Sequence, residues 1–243
     1  MTRLALIRAL LLRELGTPAI ALIAAGALAG IWAGGAAIDM LDGPLTGVLE
    51  DAIARFHTTV LWVAAFLVIL RISVRGQDDH SNGWLVPYIA AGGFRWFHSI
   101  AVAAVTAMSM WLLFVAGAGS FALTLDVVGD SNDVLRFMPR LMLSGGVSLL
   151  AFAMLTTVIS LTVRDAIATL VLTFVVIGLP PLMYMNAALR GTDVAPWIEL
   201  LLRLSPGVYV PGTTASWLVK IGFAVVAMAA ASALGHLRTA RYA

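Results

Sequence analysis

The residues of this chain best suited to chemistry stand together at Asp78, Asp79 and His80, inside the stretch "GQDDHSNGWLVPYIAAGGFRW" at positions 76–96. Two carboxylates and an imidazole could in principle hold a divalent ion. Successive residues on a helix point about 100° apart, however, so three in a row make a poor cage. His57, His80, His98 and His236 show no metal-binding spacing, and cysteine is absent. That removes thiolate chemistry, disulfides and cysteine-ligated metals. A phosphate-binding loop requires Gly-x4-Gly-Lys-[Ser/Thr]. The sole lysine, Lys220, is followed by Ile221, so ATP is not bound in that manner here. Gly117-x-Gly119-x-x-Ala122 fits a dinucleotide fingerprint by its letters, yet it ends an apolar run with no strand before it. No Gly-x-Ser-x-Gly elbow occurs. The sequence therefore assigns no catalytic residue, no bound cofactor and no metal ligand.

The elements that must position the 76–96 stretch are apolar. Of 243 residues, 61% are hydrophobic and 12% are charged, with a mean hydropathy of +0.98. Soluble domains carry about 25% charged residues, so lipid must solvate much of this chain. The pI of 9.4 rests on a net charge of only +2 with no basic run, which argues against a nucleic-acid partner. About 20 apolar residues cross a bilayer core as a helix. Six segments qualify, at about 18–38, 56–74, 97–122, 139–163, 166–187 and 214–236. The second is the least apolar, with its clean run confined to Val60–Leu70. The leader "MTRLALIRALLLRELGT" is amphipathic and long for a signal peptide, so the first segment is expected to be an uncleaved span. Placing both termini in the cytoplasm puts nine basic residues inside and six outside, in line with the preference of arginine and lysine for cytoplasmic loops. The expected fold is thus all-α: one membrane domain over 1–243, six transmembrane helices and an amphipathic N-terminal helix, in the cell membrane.

The spans hold few ionisable residues, which disfavours an ion-coupled transporter. Their polar residues are hydroxyls: Thr106, Ser109, Ser148, Thr156, Thr157, Ser160, Thr169 and Thr173. Such groups ordinarily bond back to their own helix or across to a neighbour. Gly26, Gly30 and Gly34 share one face of the first span. Small residues at that spacing let helix backbones approach closely, either within the chain or between two copies. Gly145 and Gly146 invite the same two readings.

On the expected cytoplasmic side, Arg71 and Arg75 close the second span. Asp78 and Asp79 then suit the start of a short helix, where the dipole favours negative charge. Trp84, Leu85, Tyr88 and Ile89 fall on one face of that helix, and Gly92-Gly93 ends it. An acidic start with an aromatic face suggests a docking surface for a cytoplasmic protein. On the other side, "APWIELLLRL" within the 188–213 loop suggests a second short amphipathic helix.

In this order along the chain, these features resemble the permease subunits of ATP-binding-cassette transporters of the type-2 exporter family. The resemblance covers nearly the full length. It is carried by the N-terminal "MTRLALIRALLLRELGTPAIAL", by Asp79-His80-Ser81-Asn82-Gly83-Trp84-Leu85 with Pro87 and Gly93-Phe94-Arg95, and by "LSPGVYVPG" before the last span. Asp79 stands where Glu is usual and Trp84 where Thr is usual, and the lysine often found at the start of the third span is missing. The resemblance implies two permease subunits, alike or different, seated on cytoplasmic ATPase subunits that bind ATP and Mg. The 76–93 segment would be the coupling helix, with Asp78, Asp79, Trp84, Leu85 and Tyr88 in contact with the ATPase and Arg164 and Asp165 as a lesser contact. Such a subunit is not itself an enzyme. It would couple ATP hydrolysis in another chain to export or to a mechanical task. The alternatives are a permease of a cytochrome c or copper-site maturation system, or a non-transporting scaffold that recruits a cytoplasmic partner.

Overall fold

A computed structural model describes residues 3–15, 17–38, 45–81, 95–126, 131–163, 165–190, 196 and 214–239. The described chain is helical, with seven helices and no strand. They are α1 (Arg3–Leu15), α2 (Thr17–Ile38), α3 (Leu45–Ser81), α4 (Arg95–Asp126), α5 (Ser131–Val163), α6 (Ala166–Leu189) and α7 (Thr214–Thr239). Four stretches among the described residues are long and apolar enough to cross a membrane: Phe56–Arg75, Phe97–Leu125, Leu141–Val163 and Ala166–Met183. Two shorter apolar stretches, Ile20–Ala36 in α2 and Ile221–Leu234 in α7, accompany them.

The span expected to be weakest lies within the longest helix, because its polar flanks are helical too. α3 has 37 residues and continues beyond Arg75 through Gln77, Asp78, Asp79 and His80 to Ser81. The expectation that Asp78 and Asp79 begin a new helix is therefore corrected: they lie in the last turn of α3. No proline interrupts 71–81, and its one glycine, Gly76, is tolerated inside a helix. Trp84, Leu85 and Tyr88, like the 188–213 segment apart from residues 188–190 and Pro196, lie outside the described residues.

α4 and α5 form the centre. α4 packs against α1, α2, α3, α5 and α7, while α5 packs against α3, α4, α6 and α7. Phe56 of α3 stacks on Phe121 of α4 with centroids 4.6 Å apart and also meets Phe114, so the start of α3 lies beside the end of α4. Four residues join α4 to α5 and two join α5 to α6. Connections this short between packed helices make antiparallel neighbours. α2 runs parallel to α4, with Gly26 against Leu113, Gly30 against Gly117 and Gly34 against Thr124. One end of the bundle therefore gathers the end of α3, the start of α4, the end of α5 and the start of α6. The core between the helices holds Phe56, Leu61, Val68, Ile69, Met110, Phe114, Phe121, Leu141, Leu149 and Phe152.

Candidate functional site

Of the docking candidates, the backbone of Asp78 and Asp79 and the whole of Asp165 lie at that common end, and α1 is fixed there by its own sequence pattern. Leu6 and Leu10 recur at helical spacing and are fully buried against Ala101, Val102 and Val105 of α4. Removing a leucine side chain from water contributes about 1.5–3 kcal/mol, enough to dock a 13-residue helix that would be marginal alone. The Arg3 guanidinium sits over the Phe97 ring at 5.4 Å from its centroid, a cation–π contact that ties the first turn of α1 to the first turn of α4. The opposite stripe, Leu4, Arg8 and Leu12, is exposed. An apolar stripe interrupted by arginine suits the membrane interface.

Asp165 begins α6 as its N-cap. Its Oδ1 accepts a hydrogen bond from the Ala168 amide at 2.7 Å, and its carbonyl accepts from the Thr169 amide at 2.9 Å. The Thr169 hydroxyl donates to the same carbonyl at 2.7 Å. The capping bond satisfies one of the amides left over at a helix start. Asp165 is nonetheless exposed, so it can meet a partner while it caps. Arg164 lies outside the described residues, as do the side chains of Asp78 and Asp79.

The glycine stripe is occupied within the chain. A Cβ on Gly26 would collide with the Leu113 carbonyl, and one on Gly30 with the Gly117 carbonyl and the Ser120 hydroxyl. The approach lets Ser120 Oγ donate to the Ala27 carbonyl at 2.8 Å, a side-chain bond between α4 and α2 that reading the sequence missed. Gly145 and Gly146 are likewise taken up internally, against the Phe114 ring and the Trp111 indole. Trp111 Nε1 donates to the Met142 carbonyl at 2.8 Å. A tryptophan within an apolar run gives no sign of which helix receives its N–H.

Most hydroxyls in the spans bond locally. Ser109 donates to Thr106, Thr156 to Phe152, Thr157 to Ala153 and Thr173 to Thr169, each to a backbone carbonyl three or four residues earlier at 2.7–2.8 Å. Thr106 Oγ1 and Ser148 Oγ are buried and make no hydrogen bond among the described residues. His57 is fully buried in the core, edge-on to Phe114 with centroids 5.6 Å apart. His98 is buried at the start of α4. Neither stands at metal-binding spacing from another histidine, so both fall outside the candidates named from the sequence. Among the described residues no three His, Asp or Glu side chains gather as a metal site.

No protein-family model matches the chain, and no curated protein matches it either.

Proposed function

We propose that this chain is the membrane-spanning permease subunit of an ATP-binding-cassette transporter of the type-2 exporter family. On this reading α2 and α7 supply the two spans beyond the four longer ones, and both termini face the cytoplasm of the cell membrane. A second permease subunit completes the channel, and separate ATPase subunits bind ATP and Mg. Hydrolysis there drives export or a mechanical task here.

The observation that carries the proposal is convergence at one end. The turn of α3 bearing Asp78 and Asp79 ends on the same side of the bundle as α6 begins, at Asp165. The backbone carrying Asp78 and Asp79 and the start of α6 at Asp165 thus reach the same end of the bundle, although 86 positions separate Asp79 from Asp165. Trp84, Leu85 and Tyr88 follow Asp79 within the 82–94 connection, which starts and finishes at that end. A partner seated there would push on α3 and α4 through one connection and on α5 and α6 through the other. α4 and α5 are the central helices, so such a push would be felt through the bundle. The missing phosphate-binding loop supports a division of labour in which nucleotide chemistry belongs to another chain.

Affinity purification of the full chain from its native membrane, with a search for a co-purifying cytoplasmic ATPase, tests the proposal. A complex whose ATP turnover depends on this chain supports it. A partner that binds without any nucleotide-dependent change favours the scaffold alternative.

A further inference from the structure

The stretch Ser144-Gly145-Gly146, in the middle of α5, is where that helix is least able to hold itself straight. Glycine is the weakest helix former after proline, and sharp bends in helices fall at such pairs of Gly and Ser. Pro139 of the same helix fixes its own φ, whereas the glycine pair leaves the backbone free to change. Two aromatic side chains of α4 close over the pair. A Cβ on Gly145 would stand 2.5–2.9 Å from three carbons of the Phe114 ring, and one on Gly146 would stand 3.1 Å from Trp111 Nε1. Each glycine is thus a notch filled by a ring. Trp111 is also bonded there, since its Nε1 donates to the Met142 carbonyl at 2.8 Å, one turn before Gly146. Beside the indole lies a groove of about 290 Å³, lined by Ala104, Ala107 and Met108 of α4 and by Leu143, Val147 and Leu150 of α5, with Trp111 and Gly146 between them.

We propose that Trp111 is a latch with two seats, and that α5 bends at Gly145-Gly146 when the indole leaves the Gly146 notch for the groove. Long side chains on a helix lean over the turn N-terminal to their own Cα. For Trp111 that turn carries Ala107 and Met108, which line the groove. A step from one staggered rotamer to another therefore carries the indole from the Met142 carbonyl into the groove, where the small Ala104 and Ala107 leave it room. The walls there are apolar and offer contact to the ring but no acceptor to its N–H. The notch is accordingly the favoured seat, by the worth of one hydrogen bond. With the indole withdrawn, α5 loses its brace at the glycine pair. Phe114, fully buried in the Gly145 notch, stays behind as the pivot. The second half of α5 then swings, and the two-residue connection to α6 moves with it. The latch belongs to the chain alone. On the permease reading, a push at the Asp165 connection would work through it.

The test uses the full chain in detergent with no ATPase present, so its outcome is separate from that of the permease reading. Fluorotryptophan incorporated throughout gives a fluorine NMR resonance for each indole, and the Trp111 resonance is the one lost in Trp111→Phe. The wild type should show two exchanging Trp111 resonances, with the notch seat the more populated by about three- to five-fold, as one hydrogen bond between helices implies. Ala107→Leu fills the groove and should leave the notch resonance alone. Ala104→Leu fills it from the other end and replaces that variant should it fail to fold. The bend is read separately. The chain has no cysteine, so spin labels at Leu123→Cys and Ile167→Cys, exposed positions at opposite ends of the bundle, report the swing of the end of α5. Two distances should appear, and only one of them with Ala107→Leu. Trp111→Phe should raise the ratio of the second distance to the first by about three- to five-fold. A single Trp111 resonance without exchange, unaltered by Ala107→Leu, overturns the latch. A distance distribution that Trp111→Phe leaves unchanged overturns the bend.

Discussion

Replacing Gly30 by alanine should destabilise the bundle far more than the same change five residues later. The new Cβ would collide with the Gly117 carbonyl oxygen and the Ser120 hydroxyl, and it would stand 2.9 Å from the Gly117 carbonyl carbon. Ordinary contact begins near 3.4 Å. A backbone carbonyl cannot rotate aside, so α2 and α4 must separate. Overpacking of this kind costs about 1–3 kcal/mol. Separation also stretches the Ser120–Ala27 bond of 2.8 Å, and interhelical bonds in membranes average about 0.6 kcal/mol. The expected loss is roughly 2–4 kcal/mol, or a fall in midpoint on the order of 5–15 °C by the scaling of soluble proteins of this size. Gly35 and Gly119 provide the controls, since a Cβ at either meets nothing within 4 Å. Alanine there should be neutral or should stabilise by up to about 1 kcal/mol, through helix propensity. Thermal unfolding in detergent, followed by intrinsic fluorescence at several protein concentrations, distinguishes the outcomes. The Gly30→Ala loss should be independent of concentration, because its partner is in the same chain. Equal midpoints for Gly30→Ala and Gly35→Ala, or a loss that appears only on dilution, would refute the packing argument.

Two further predictions rest on single hydrogen bonds. Trp111→Phe leaves the Met142 carbonyl without its 2.8 Å donor and should cost about 1 kcal/mol, read as a lower midpoint in the same assay. Asp165→Ala removes the cap of α6 and should cost about 1 kcal/mol. Hydrogen exchange should place that loss in the first turn of α6, with the Ala168 amide the most accelerated.

Four helices are legible in the sequence because their apolar runs have the length a bilayer demands, and a helix is the natural way to satisfy such a backbone in lipid. Their ends are less so. Residues 76–81 are polar but helix-compatible, and nothing in RISVRGQDDHS says where α3 must stop. Asp78 and Asp79 therefore suit the start of a new element by their charge, whereas the structure makes them part of α3. The glycine stripe announced a close approach without naming the partner, since Gly26-x-x-x-Gly30 fits any smooth helix face. The partner became visible only with Gly117, Ser120 and Thr124 lined up on α4. Leu6 and Leu10 belonged to an amphipathic pattern whose apolar face could equally have met lipid. Asp165 stood out as a charge beside a span, and its capping bond depends on where α6 begins. His57 and His98 carried a signal that was available, namely an ionisable residue at the edge of an apolar run.

The central claim is that this chain transmits ATP hydrolysis occurring in another. Its most direct measurement is the ATPase rate of the partner subunit, purified with this chain in lipid nanodiscs, for the wild type and for Asp79→Ala combined with Trp84→Ala. The complex should assemble with the wild type, and the paired substitution should weaken assembly or change the ATPase rate several-fold, while the fold of this chain stays intact by thermal unfolding. An ATPase rate unchanged by the paired substitution, or no ATPase subunit bound to the wild type, would contradict it.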